Sequence, residues 1–175
     1  MSNSIVGLDS LLKKLNSLGG NVEETLYDSI AKQTKLVQGE SKELCAVDTG
    51  DLRESIKDNT RKYKNKIVGS VSTNMEHAPY VEFGTGKVGE RTNTNTNVNV
   101  SYKQDKWKVN IPDVGVRWIE GQPAQPFLYP ALKNNEDKIL KNIKEDVKQA
   151  IREVAKKWLM LRIKFIRLSK ISVLM

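Results

Sequence analysis

Cysteine and histidine each occur once in this chain of 175 residues, as Cys45 and His77. A single thiol excludes an internal disulfide, and it suits a reducing compartment or a thiol buried as a small hydrophobe. One histidine and one cysteine are too few ligands for a His/Cys zinc site, which argues against metalloenzyme and Cys–His hydrolase chemistry. Long apolar runs are missing too. The longest in the C-terminal part is Trp158-Leu-Met-Leu161, far short of the roughly 20 residues of a spanning helix. The start, Met1-Ser-Asn-Ser-Ile-Val, lacks the basic opening and apolar centre of a secretory signal. No membrane role is expected. The length suits one domain that buries roughly two thirds of its unfolded surface.

The net charge is +8, but the excess is unevenly placed. Between Lys156 and Met175 stand six basic residues (Lys156, Lys157, Arg162, Lys164, Arg167 and Lys170) and no acidic one, which leaves +2 for the first 155 residues. A nearly neutral body lacks the basic patch of a dedicated nucleic-acid binder.

Four stretches follow one another. Leu8, Leu11, Leu12 and Leu15 repeat at helical spacing until Gly19-Gly20. Asn21 then suits the cap of a second helix, with Glu24 as its capping-box partner. Val22, Leu26, Ile30, Val37 and Leu44 form its stripe, Thr34 and Ser41 being weaker members, and Cys45 lies near its end. The second stretch opens with a short helix over Asp51–Ile56, capped by Asp48 or Thr49, with Leu52 and Ile56 on one face. Two strands, Asp58 to Lys64 and Ile67 to Thr73, come after it. The third begins at His77-Ala-Pro-Tyr-Val-Glu-Phe-Gly-Thr-Gly86, where Pro79 suits a first helical turn and Gly84 a positive-φ stop. From Thr92 to Tyr102 and again from Trp107 to Ile111 the residues alternate, which predicts a β-hairpin turning at Lys103–Lys106. The fourth is Pro-rich: Pro123, Pro126 and Pro130 hold an extended approach, and Pro130 opens a helix. That helix carries Ile139, Ile143, Val147, Ile151, Val154 and Trp158 in one stripe, with exposed pairs Asp137–Lys141, Lys141–Glu145 and Glu153–Lys157.

No candidate chemistry outweighs its plain alternative. Asp48-Thr49-Gly50 matches the triplet of retroviral-type aspartic proteases, yet it follows a charged helical stretch and precedes a helix start, so a helix cap is the better reading. Gly84-Thr-Gly-Lys87 lacks the first P-loop glycine, whose place is taken by Val81. Glu82 has no identifiable nucleophile or metal to serve as a base. Tyr102 and Trp107 with nearby lysines could form a stacking platform for single-stranded nucleic acid, but packing on the hairpin's apolar face explains both rings. No cofactor is called for.

Three boxes remain: Asp48-Thr-Gly-Asp-Leu-Arg-Glu-Ser-Ile56, Tyr80-Val-Glu-Phe-Gly-Thr-Gly86 and Gln122-Pro-Ala-Gln-Pro-Phe-Leu-Tyr-Pro-Ala-Leu132. In this order and spacing they resemble the head–tail joining, or tail-completion, family of tailed bacteriophages, of the phage HK-ninety-seven gene-product-ten type, over about residues 5 to 158. The matching residues are Thr49, Gly50, Leu52, Ser55, Glu82, Phe83, Gly84, Thr85, Pro126, Phe127 and Pro130, with Asp48, Arg53, Tyr80 and Pro123 beside them.

The resemblance implies an α+β subunit: N-terminal helices and a long C-terminal helix packed on a small antiparallel sheet. The expected organisation is one domain over 1–158, with an inserted hairpin at about 91–118, then a basic apolar tail over 159–175. It further implies a non-enzymatic virion protein, assembled in the host bacterial cytoplasm and placed at the neck. Its partners would be copies of itself in a hexameric ring, a head-completion or connector protein, and tail terminator or tail-tube proteins. Double-stranded DNA would pass the lumen without sequence-specific binding. A tail-tube terminator ring is the alternative within virion assembly, and a small basic nucleic-acid binder acting through its tail is the alternative from another class. The segment from Arg91 to Trp118 is longer than the family's link, and the tail after Trp158 has no counterpart in it.

Two expectations concern particular residues. Arg53 and Glu82, set at tight corners, are expected to form ion pairs within or between subunits. No single period takes in all the apolar residues after Lys156, so the tail is expected to depart from the preceding helix and to dock in the assembly.

Overall fold

The computed structural model describes residues 22–64 and 66–171. The leucine-rich helix expected before Gly19, and the Asn21 cap, lie outside the described residues. Five helices and four strands follow in the order α1 (Val22–Leu44), α2 (Asp51–Ser55), β1 (Lys57–Tyr63), β2 (Lys66–Ser72), α3 (Ala78–Phe83), α4 (Gly86–Thr92), β3 (Trp107–Ile111), β4 (Gly115–Ile119) and α5 (Leu128–Ile171). Strands β1 and β2 form one two-stranded sheet and β3 and β4 another. The fold is α+β.

The chain divides into two compact units. The first takes in residues up to Gln33, Thr60–Val68 and those from Asp137 onward. In it, Lys62 pairs with Glu23 at 2.9 Å, and the Tyr27 hydroxyl donates to the Thr60 carbonyl at 3.2 Å. Ser29 Oγ donates to Asp146 Oδ2 at 2.6 Å, and Asn142 Nδ2 to Gln33 Oε1 at 3.0 Å. Ser29 and Gln33 are buried, whereas Leu26 and Ile30 are only half-buried. The inward face of α1 is therefore more polar than its leucines suggest, and each of these buried polar groups has a partner, as burial requires.

The second unit comprises Thr34–Asn59 and Gly69–Glu136. Its core is Cys45, Leu52, Ile56, Ala78 and Phe127, with Val71, Met75, Val81 and Leu128 packed around it. Phe127 and Ile56 are fully enclosed. All three boxes contribute to this one cluster. Leu44, placed on the stripe of α1 by its spacing, is 43% exposed, and the adjoining Cys45 takes the inward position instead.

Three expectations are corrected. The alternating segment from Thr92 to Tyr102 is not a strand: α4 runs through Thr92, and no strand lies between Thr92 and Trp107. The asparagines cause this. Asn93 Oδ1 accepts the Asn95 N–H at 2.9 Å, and Asn95 Oδ1 accepts the Asn97 N–H at 3.1 Å. Such Asx turns satisfy the backbone locally and displace a ladder. The hairpin lies further on, between Trp107–Ile111 and Gly115–Ile119, in the register Trp107↔Ile119 to Ile111↔Gly115. It turns at Pro112-Asp-Val114, where Asp113 has φ 62° and Gly115 φ 83°.

The second correction concerns the tail. Helix α5 does not stop near Trp158 but continues to Ile171. Lys156 to Ile171 contains no glycine or proline and is rich in Lys, Arg, Leu and Met, all good helix formers. The stripe Ile139, Ile143, Val147, Ile151 and Val154 is half-buried, but every residue from Ala155 to Ile163 is exposed. The third correction concerns ion pairs. Among the described residues α5 forms Lys133–Glu136 and Lys148–Glu145, spaced i,i+3, rather than the three i,i+4 pairs expected.

Candidate functional site

The first box turns the chain out of α1. The cap of α2 is Gly50, in the left-handed region at φ 96°, and no side chain caps the helix. The expected caps are thus corrected: Asp48 is exposed, and Thr49 accepts the Asp51 N–H only at 3.4 Å while donating its hydroxyl to Asp51 Oδ2 at 2.7 Å. Glycine permits this corner because it has no Cβ. Leu52 enters the core, and Ser55 lies 2.5 Å from Thr73 Oγ1 at the end of β2 while donating to the Leu52 carbonyl at 2.7 Å. Asp48→Asn is therefore expected to change stability by less than about 0.5 kcal/mol, as exposed substitutions do. Urea unfolding of the two proteins checks this.

The second and third boxes meet at Glu82. Pro79 stands in the first turn of α3, where a missing N–H costs nothing, and Glu82 near the other end is only 4% exposed. Its carboxylate accepts three backbone N–H bonds: Oε2 from Phe127 at 2.8 Å and Leu128 at 2.9 Å, and Oε1 from Tyr129 at 2.8 Å. These are orphan donors at the start of α5, and the next residue, Pro130, has none to offer. Negative charge is favoured at this end of the helix dipole. Glu82 caps α5 from 45 residues away in sequence.

Within the subunit the ion-pair expectation is not met. No cation bridges Glu82 among the described residues, and Arg53 Nε is buried without a hydrogen-bond partner. The two charges do act together on one group. Burial raises the pKa of the Cys45 thiol, Arg53 partly offsets that, and Glu82 reinforces it. A buried thiol pushed upward is a poor nucleophile.

Around Glu82 the two boxes are joined through their backbones. Thr85 N–H donates to Gln122 O at 3.0 Å, and Gln122 N–H reaches Thr85 Oγ1 at 2.9 Å. Gln125 N–H donates to Val81 O at 2.8 Å, and Ala124 N–H to Thr92 Oγ1 at 2.8 Å. Gly84, at φ 70°, admits this approach: a Cβ there would lie 2.6 Å from Ala124 N and 2.7 Å from Gln122 O. The Tyr102 hydroxyl donates to Phe83 O at 3.0 Å. Lys106 pairs with Glu120 at 2.9 Å and holds the Glu120 carboxyl below its usual pKa. Pro123 and Pro126, which have no N–H, leave no donor unmatched on this strand-like approach.

Beside the junction opens a cleft of about 600 Å³. Val37, Met75, Phe83, Leu128 and Leu132 give it apolar walls, and Gly69–Thr73 form one side. Glu82 reaches it, but both its oxygens are occupied by backbone donors. Tyr80 is 59% exposed on the outer side of α3. Among the described residues no group of His, Cys, Asp or Glu could hold a metal ion. The arrangement positions backbone; it pairs no base with a nucleophile.

Sequence reasoning missed the role of Glu82, although a signal was present. Gln125-Pro-Phe-Leu-Tyr-Pro130 starts a helix without Ser, Thr, Asp or Asn at its cap, so its donors require a distant acceptor. Thr92 and Tyr102 were read as strand residues and prove to be clamps on the junction.

The family model HK97-gp10_like, described as "Bacteriophage HK97-gp10, putative tail-component", matches residues 9–84. The match takes in the first box and the second as far as Gly84, and it is the family that the motifs resemble; over that segment the chain is similar to a structural tail component of bacteriophage. No curated protein and no solved structure matches the chain. No helix among the described residues is long and apolar enough to cross a membrane.

Proposed function

We propose that the protein joins head and tail at the neck of a tailed phage as a ring-forming tail-completion protein without catalysis. The carrying observation is the use to which the three boxes are put. Their polar side chains fix backbone at one corner: Thr85 receives the Gln122 N–H, and Glu82, the single buried carboxylate among the described residues, is wholly engaged by a helix start. A rigid corner of this kind sets the angle between α3, the Pro-rich lead and α5. Rings need such fixed angles, because small errors prevent closure. A nearly neutral body suits a lumen through which DNA slides, since strong phosphate contacts would hold it. Six copies, a connector above and a terminator or tube below complete the proposal.

Labelling purified particles with an antibody to this protein tests the placement. Label at the head–tail junction is expected; label along the tail tube or at its distal tip contradicts the neck reading.

The exposed end of α5 supports a separate role in assembly. Truncation after Lys157 removes Trp158 to Ile163, all of them exposed, so the melting temperature is expected to stay within about 2 °C. Attachment of tails to heads is expected to fall. The rival reading, nucleic-acid binding through this basic segment, predicts steeply salt-dependent DNA binding that the truncation abolishes. Trp158, Leu159, Met160, Leu161 and Ile163, each 45% exposed or more, favour a protein surface instead.

A further inference from the structure

The cleft beside Glu82 has an unusual wall. Five consecutive residues, Gly69-Ser-Val-Ser-Thr73, line it. Side chains of a strand alternate between faces, so a stretch of β2 that lines a cleft with four consecutive residues, Gly69 to Ser72, presents its edge there. No residue of β1 lines the cleft, and among the described residues β2 has no other strand beside it. The edge facing the cleft is therefore the one away from β1. An apolar cleft bordered by an unpaired strand edge suits an extended segment: backbone pairs with the edge, and alternate side chains fill the apolar space.

The same unit carries a segment of matching form. Strand β4, Gly115–Ile119, is five residues long and is paired only with β3. Val114, Val116 and Trp118 alternate along it and are 51%, 58% and 62% exposed. Arg117, its single charge, lies on the opposite face of the strand, and Lys108 of β3, cross-strand from Trp118, lies over the outer ring at 5.1 Å. A long exposed edge with an apolar row is an association hazard unless something covers it.

We propose that β4 of one copy adds to the β2 edge of a second copy, with Val116 and Trp118 seated in its apolar cleft. The contact joins two different surfaces, so it leaves a free edge and a free cleft at either end and propagates from copy to copy until a ring closes. This rests on the ring-forming reading above and names the surfaces that make the ring.

Cysteine pairs test it. Ser70→Cys or Ser72→Cys is combined with Val116→Cys or Arg117→Cys, covering both faces of the strands. Cys45 is left in place because it is buried. Lysates of cells producing the phage are oxidised and run without reductant. At least one double variant is expected to give a ladder of covalent multimers of this protein, and the single variants are expected to give none. Adding Trp118→Asp should abolish the ladder and leave the melting temperature of the purified protein unchanged. If no combination gives a ladder, or if the β2 cysteine joins a different polypeptide, the second-copy contact is overturned. Purified particles judge the neck reading separately. A ladder in the lysate with no copies in the particle would refute that reading and leave the strand contact standing.

Discussion

Glu82→Ala is expected to destabilise the protein by about 3 kcal/mol or more, a loss visible as a drop of roughly 10 °C in melting temperature. The carboxylate accepts N–H bonds from Phe127, Leu128 and Tyr129. Removing it leaves three donors without an acceptor, Phe127 being fully buried. Water cannot readily replace a partner at that depth, so the full desolvation cost falls on the folded state. Glu82→Gln retains one oxygen and loses the charge that complements the helix dipole, so a smaller loss, about half that of alanine, is expected. Urea unfolding of the three proteins measures the order. Equal stability of Glu82→Ala and the parent would show that the N-terminus of α5 does not depend on this residue.

Gly84→Ala is expected to cost as much, about 3–4 kcal/mol. Two causes add. Gly84 sits at φ 70° and ψ −174°, a region that residues with a Cβ almost never occupy. The positive φ alone would cost about 1 kcal/mol. The new methyl would also lie 2.6 Å from Ala124 N and Gly89 Cα and 2.7 Å from Gln122 O. All three are backbone atoms, and they are tied by the Thr85–Gln122 hydrogen bonds, so no side chain can rotate aside. Either Val81–Thr85 or the Pro-rich lead must shift, and the Glu82 cap shifts with it. The same unfolding experiment checks this, and a loss below 1 kcal/mol would show that the junction yields.

Much of this was legible in the sequence because local signals agreed with the fold. The strand pair β1 and β2, the Pro79 turn and the Gly84 stop are each set by residues at the element itself. What failed did so for physical reasons. The Asn/Thr alternation has the period of a strand, but asparagine side chains compete for the backbone, and the period alone does not show which wins. The turn at Pro112 to Gly115 carries the proline and glycine of a turn, whereas Lys103–Lys106 has neither. The end of α5 was judged by whether its apolar residues fit one stripe. A helix that buries none of Ala155–Ile163 has no stripe to obey. The candidate site was found as three boxes, yet their common purpose was invisible. Glu82 and Phe127 lie 45 residues apart, and only the fold shows that one caps the other's helix. The charges of Arg53 and Glu82 suggest ion pairs within or between subunits; backbone N–H groups, which no composition displays, are the partners of Glu82 within the subunit.

The exposed features carry the remaining function. The core cluster consumes Leu52, Ile56 and Phe127, while Val116, Trp118 and the far end of α5 are among the apolar residues left exposed. Such exposed residues fit the proposed role, in which neighbouring subunits cover them. Particle assembly is therefore the process in which its loss should be felt.

Deleting the gene from its phage, and examining the products by electron microscopy, tests the central claim most directly. The account predicts heads filled with DNA alongside complete but unattached tails, with joining restored when the protein is supplied in trans. Normally tailed, infectious particles from the deletion would contradict it.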